Sequence, residues 1–317
     1  MREWKYYKSN FEFDKNLSSS WWGHTFFAYD LVRNMKPKRV VELGTHYGVS
    51  FLSMCQAVKD AQINTELHAV DTWEGDPHAK VGYDKKDVVF NIFKNQTQSY
   101  YKGLNIKFHR KFFDDALDDF EDNSIDVLHI DGFHTYESVK HDFEKWLPKM
   151  RKDGLILLHD IHERKEDFGV YKLWYEIKKK YSTTEFYHWH GLGVVFLDNN
   201  KKADFIEKED EMKGNYNNIA EKFFIEREKT NTKEHIDRKN KEIDKKNKEI
   251  ELKNEEIELK NRQLKLKERE IESIKSSKFW KLRNLYIEFK SKMIFLIFHP
   301  ISFAKKYTQK IFNHIKK

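Results

Sequence analysis

Up to about residue 200 the chain alternates between two hydrophobic rhythms. Short apolar runs at Arg39–Leu43, Leu67–Val70, Ile106–His109, Ile125–Ile130, Gly154–Leu158 and around Gly193–Leu197 suit strands buried on both faces of a parallel sheet. Between them apolar residues recur at helical spacing. These segments are Trp21 to Val32, Ser50–Lys59, Asp87–Gln98, Phe112–Phe120, Tyr136–Met150 and Val170–Lys180. The alternation predicts an α/β fold, a doubly wound and mostly parallel sheet with helices on both faces. Residues 1–20 read as an irregular lead-in and residues 21–205 as the folded domain.

Beyond residue 205 the pattern changes to Lys, Glu and Asn. Ile236, Ile243, Ile250, Ile257, Leu264 and Ile271 recur every seven residues, and Asn240, Asn247, Asn254 and Asn261 each follow an isoleucine by four. With isoleucine at heptad position d, asparagine falls at a, so residues 226–275 are expected to form a coiled coil and a homo-oligomer. Leu252, Leu259 and Leu266 fall at f, on the opposite face. A lone helix held by Glu–Lys pairs is the alternative. Residues 276–317 carry ten Lys or Arg against one acid, with Phe279, Trp280, Phe289 and the apolar run Met293–Phe298. That combination suits an anionic membrane surface.

Charge separates the two parts. Residues 1–210 have a net charge of −4 and residues 211–317 one of +11, so the sequence pI near 9.0 belongs to the C-terminal part. No base-reading motif accompanies the basic residues, and no nucleic acid partner is expected. Cys55 is the single cysteine, which excludes an intrachain disulfide and a cysteine zinc cluster. The N-terminal residues show no apolar stretch of signal length, and no window reaches the ~20 apolar residues of a spanning helix. The expected location is cytoplasmic, peripheral on the inner face of the membrane.

The candidate chemistry gathers where the strands end, the place where ligands bind on such sheets. Glu42, Gly44, Thr45 and Gly48 follow the first strand, Asp71 and Trp73 the second, Asp131 and His134 the fourth, and His159 and Asp160 the fifth. A pyrophosphate site would need G-x-G-x-x-G, but His46 stands where the second glycine belongs. His129 sits mid-strand and reads as a satisfied core histidine. His24, His188 and His190 either line an acceptor cleft or make local hydrogen bonds. Asp76 and His78 lie in the loop after Asp71, and Asp114 and Asp115 at a helix start.

Glu42-x-Gly44-x-x-x-Gly48 resembles motif I of class I S-adenosylmethionine-dependent methyltransferases. VVELGTHYGVS, AVDTWEGDPHA, IDVLHIDGFHTYESVKHDFEKWLPKM, GLILLHDI and HGLGVV together resemble a bacterial branch associated with cell-surface glycan synthesis. That branch is similar to metal-dependent sugar O-methyltransferases. The resemblance implies a Rossmann-like sheet with a reversed last hairpin. It also implies S-adenosylmethionine held by the Glu42–Gly48 turn, with Asp71 on the ribose hydroxyls and Trp73 on the adenine. Asp131 and Asp160 are then metal ligands and His134 the general base. His159 stands where the relatives have a carboxylate, which shifts the expected divalent metal from magnesium toward manganese. The acceptor would be a sugar hydroxyl of a glycan or its precursor. The alternative is a non-catalytic scaffold or length-control protein in glycan assembly.

Overall fold

A computed structural model describes residues 4–75, 87–199 and 209–298, with 304, 305 and 308. Asp76 and His78 lie outside the described residues, as does most of 299–317. Seven strands form one sheet: β1 Arg39–Leu43, β2 Glu66–Val70, β3 Asn105–His109, β4 Ile125–Ile130, β5 Met150–His159, β6 Ser182–Phe186 and β7 Leu192–Phe196. Their order is β3-β2-β1-β4-β5-β7-β6, and β7 runs antiparallel to both neighbours while the remaining pairings are parallel.

The strands alternate their side chains between two cores. Val40, Leu67, Val127, Leu155 and Leu157 enter one, with α1 (Thr25–Met35), α2 (Val49–Ala61) and α3 (Val88–Tyr100). Val41, Leu43, Leu128, Ile130, Ile156 and Leu158 enter the other, with α4 (Phe113–Ala116), α5 (Tyr136–Trp146) and α6 (Val170–Ile177). Both faces are therefore covered, as a largely parallel sheet requires.

The compact unit runs from Met1 to Asn231. Residues 4–19 of the lead-in form no helix or strand, yet Phe11, Phe13 and Leu17 are buried in the first core. A helix α7 spans Glu209–Ser276, and its first turns bury Met212, Tyr216 and Ala220 against that core. Residues 232–317 form a second unit, comprising the rest of α7 and, after a break at Ser277, α8 (Lys278–Phe298). Among the described residues no helix is long and apolar enough to cross a membrane.

Two sequence readings differ in detail. The first aromatic helix is split into a 3-10 turn (Ser20–His24) and α1. Met150, read as the end of a helix, opens β5, because Pro148 has no N–H to continue α5, which ends at Trp146.

Candidate functional site

The carboxyl ends of β1, β2, β4 and β5 open into a cavity of about 1140 Å³. Its floor is the β1–α2 turn. Gly44 has φ +86°, and a Cβ there would overlap the Asp131 carbonyl oxygen, so glycine is required both for conformation and for space. Gly48 has φ +79° and packs against the Phe93 ring. The turn is tied down by Gly44 N–H donating to the Val70 carbonyl (2.9 Å) and Gly48 N–H to the Thr45 carbonyl (2.7 Å). Thr45 lines the cavity, and its buried hydroxyl has no hydrogen-bond partner among the described residues.

Asp71 is fixed by the backbone on both sides. Its carboxylate accepts from His46 N–H at 2.8 Å and from Trp73 N–H at 2.7 Å. His46 and Trp73 hold left-handed φ values of 50° and 53°, local strain of the kind that surrounding structure must enforce at a site. Trp73 lines the cavity beside Asp71. It is 4% exposed, stacks on Phe93 at 5.7 Å, tilts against Phe90 at 4.9 Å and donates its indole N–H to the His46 carbonyl. Its ring braces the turn and forms part of the cavity wall.

Glu42 differs from its expected place. It is fully buried beneath the turn, facing His129 across the β1–β4 ladder, and does not line the cavity. Trp21 donates its indole N–H to His129 Nε2 (3.0 Å), which makes Nδ1 the protonated nitrogen, donating to Glu42 Oε2 at 3.0 Å. Burial raises the Glu42 pKa, and the His129 bond opposes the rise. This chain braces the end of β1. It confirms His129 as a satisfied core histidine and brings in Trp21, which the sequence reading placed only in a helix.

The second cluster lies on the opposite lip. Ligand atoms of Asp131, His134 and Asp160 lie within 4.8 Å of one another. His134 Nε2 is 2.9 Å from Asp160 Oδ2 and 3.7 Å from Asp131 Oδ1. The His134 ring stacks on Phe168 at 4.6 Å, and its carbonyl accepts from Gly169 N–H. Asp160 holds a left-handed φ of 60°, which turns its side chain from the sheet toward the cavity. His159 turns its Nδ1 toward the same two carboxylates. It is buried, its Nε2 donates to the Trp189 carbonyl (3.2 Å), and its Nδ1 stands 3.4 Å from both Asp131 and Asp160. The converging trio thus contains His134, with His159 behind the carboxylates.

The charges explain the pKa directions. Burial opposes ionisation of Asp131 and Asp160, but the adjacent His159 and His134 hold both carboxyls well below their usual range. Burial disfavours the His134 cation, yet hydrogen bonds and charge from Asp131 and Asp160 outweigh it and raise the imidazole to about 10. His159 is raised as well, against burial, by the same two carboxylates. Two carboxylates and one imidazole are a donor set that fits a divalent cation.

Of the remaining histidines, His190 lines the cavity and pairs with Glu163 at 2.7 Å. His24 is buried, while His188 Nε2 meets the Gly23 carbonyl at 3.1 Å; neither lines the cavity. Asp114 lines it at the far end, paired with His141. Ser18, Ser19 and Ser20 also line it. Sequence reasoning passed over them because a lead-in without periodicity gives no sign of where it returns.

Strand order, glycine turn and the acid closing β2 together define a Rossmann-like methyltransferase fold. Residues 41–161 match the family model described as "Methyltransferase domain", a span that holds Glu42, Gly44, Gly48, Asp71, Asp131, His134 and Asp160. That segment is similar in sequence to the methyltransferase domains of that family. The uncharacterized protein y4gI of Sinorhizobium fredii is 42% identical over 178 residues, 56% of this chain and 19% of that protein. The chain thus spans about a fifth of that curated relative's length. Among solved structures, the Podospora anserina methyltransferase PaMTH1 is 15% identical, with a TM-score of 0.44 over 58% of this chain and 80% of its own. The O-methyltransferase TomG of Streptomyces achromogenes is 12% identical, with a TM-score of 0.41 over 57% and 80%.

Proposed function

We propose that the domain is an S-adenosylmethionine-dependent O-methyltransferase acting on a sugar hydroxyl of a cell-surface glycan or its precursor. The observation that carries this reading is the sharing of one cavity by the Gly44–Gly48 turn with Asp71 and the Asp131, His134, Asp160 trio. S-adenosylmethionine supplies a methyl group already activated on sulfur. A divalent cation, magnesium or manganese, supplies positive charge that lowers the pKa of an acceptor hydroxyl.

The chain's own residues divide the rest of the work. Asp71, held by two amides, presents lone pairs to vicinal ribose hydroxyls. Gly44 and Gly48 let a ligand approach the backbone ahead of α2. Asp131 and Asp160 would hold the cation. With their charge neutralised, His134 returns from about 10 toward the ordinary histidine range, where Nε2 can take the acceptor's proton. Ser18–Ser20, Glu163 and His190 offer a polar rim suited to a hydroxyl-rich acceptor. The basic tail and α8, with Phe279 78% exposed, would bring the enzyme to an anionic membrane face.

Calorimetry with S-adenosylmethionine and mass analysis of purified glycan acceptors, with and without chelator, test the proposal. Micromolar cofactor binding, about −8 kcal/mol, and a methyl-sized mass gain lost in chelator are expected. Absence of cofactor heat rejects the methyltransferase reading. Full activity in excess chelator rejects the cation and leaves the base in place. His134→Ala should keep cofactor affinity and lose roughly 10²–10⁴-fold in turnover.

A further inference from the structure

We propose that the heptad face of α7 takes a second copy of this chain, parallel and in register. Ile236, Ile243, Ile250, Ile257, Leu264 and Ile271 are each about half exposed in the single chain and form a continuous line on α7. A straight α-helix drifts about 20° per heptad from a strict seven-residue repeat. Over the five intervals from Ile236 to Ile271 the line would wander by about 100° on a lone helix. Keeping the repeat at seven has a physical use only if the helix supercoils about a partner.

The charges beside that line identify the partner and its direction. Flanking the seam on one side, at position e, stand Asp237, Asp244, Glu251, Glu258 and Glu272, interrupted by Lys265. On the other side, at position g, stand Lys239, Lys246, Lys253, Lys260 and Lys267. In a parallel pair each g residue meets the e residue five positions further along the other copy. Lys239 then meets Asp244, Lys246 meets Glu251, Lys253 meets Glu258 and Lys267 meets Glu272, with Lys260 against Lys265 as the one like-charged pair. An antiparallel pair sets g against g and e against e, which would place lysine on lysine and acid on acid along most of the seam. Within one chain Lys246 and Lys260 reach Glu242 and Glu256 instead, while Asp237, Asp244 and Glu251 make no ion pair among the described residues.

The asparagines agree. In a parallel, in-register pair each of Asn240, Asn247, Asn254 and Asn261 faces its own equivalent, and the amide both donates and accepts. An antiparallel pair would set each amide against isoleucine, burying it without a partner at a cost in stability. Four such positions weaken the seam but fix its register.

Sedimentation of the full chain should show a dimer. Lys239→Glu/Lys246→Glu/Lys253→Glu should weaken self-association at least about tenfold, because three pairs on each side turn repulsive. Asp244→Lys/Glu251→Lys/Glu258→Lys should do the same, and mixing the two variants should restore a dimer containing one of each. Cys55 is buried, so Asn240→Cys introduces the exposed thiol for cross-linking. Mild oxidation should link two copies at residue 240, which lies at one end of the repeat and meets its equivalent only when the copies run parallel. A monomeric full chain, charge variants that associate as tightly as the unaltered chain, a mixture that stays apart, or no link at residue 240 would each overturn the proposal.

Discussion

At the scale of single residues, the site depends on carboxylates whose oxygens are already committed before any ligand arrives. Asp71 accepts two backbone amides, so it orients the turn and still has lone pairs to offer. Asp71→Ala should weaken S-adenosylhomocysteine binding at least about tenfold, since hydrogen bonds to a charged group are worth about 1.5–3 kcal/mol; an unchanged Kd in calorimetry would contradict the assignment. The trio makes a prediction with a sign. His134 is raised to about 10 in the metal-free site, so it is protonated throughout the neutral range. A cation held by Asp131 and Asp160 would drive that proton off His134 by lowering its pKa, so cation affinity should rise about tenfold per pH unit between about pH 7 and 10. Manganese titrations in buffers of different ionisation heat read the proton directly. An affinity independent of pH from 6 to 8 would place the cation elsewhere. In the sequence, spacing brought Asp131, His134 and Asp160 to one rim, whereas the burial of His159 beside them, with its Nε2 on the Trp189 carbonyl 30 residues on, is a long-range contact that no spacing reveals.

At the scale of elements, the β1–α2 turn is where local sequence and tertiary packing demand the same residue. Gly44→Ala meets both a left-handed backbone and the Asp131 carbonyl of the neighbouring strand. It should cost about 2–4 kcal/mol of stability in denaturant unfolding and lose cofactor binding. Gly103 also has a positive φ, +100°, but a Cβ there meets nothing within 4 Å, so Gly103→Ala should cost only about 1 kcal/mol. Equal losses at the two positions would show that strain, not the close approach to Asp131, decides. The strand β6 went unpredicted for the opposite reason. Ser182-Thr183-Thr184-Glu185-Phe186 is polar, because it lies at the sheet edge and pairs on one side only, with β7. Hydrophobic rhythm marks strands buried on both faces and is weak at edges.

For the whole molecule, Asp30 shows how the ends of the compact unit are joined. Tyr216 of α7 donates to its carboxylate at 2.6 Å, Tyr7 N–H donates at 3.1 Å, and Trp4 donates to the Tyr216 hydroxyl at 3.0 Å. Burial nevertheless raises Asp30 from 3.8 to about 7, against these donors and the charge of Arg33. The folded pKa exceeds the unfolded one, so the contribution is fully present below about pH 4 and is lost as pH rises through 7. The loss is at most about 4 kcal/mol for a shift of about three pH units. Asp30→Asn should therefore flatten the decline of Tm between pH 4 and 8 relative to the unaltered chain; parallel Tm curves would show that Asp30 stays ionised. The tail answers to a different solvent. Phe279, Phe289 and Phe295 are exposed on α8 among lysines. Full-length protein should float with anionic vesicles, bind neutral ones weakly and release in part as salt rises, each Lys or Arg contributing on the order of 1 kcal/mol. Deleting residues 276–317 should abolish flotation; protein that stays free of anionic vesicles at low salt would exclude the membrane role.

The sequence by itself determined whatever is encoded in period and spacing. Buried strands appear as apolar runs and amphipathic helices as a 3.6-residue rhythm. A pair of glycines after the first strand and acids closing the second, fourth and fifth place the site on one rim, because strands of a parallel sheet all end on the same side. The seven-residue line on α7 and the charges flanking it are equally local facts. Only the tertiary structure decided which of those side chains face the cavity. Glu42 and His129 share a face of the sheet because parity along β1 and β4 aligns them, and the register between the two strands sets them opposite each other beneath the turn. Trp73 is held in the cavity wall because Phe90 and Phe93 of α3 receive its ring. The lead-in joined the cavity wall, and the first turns of α7 joined the core, because a chain without local periodicity is placed by the apolar surface left for it to cover.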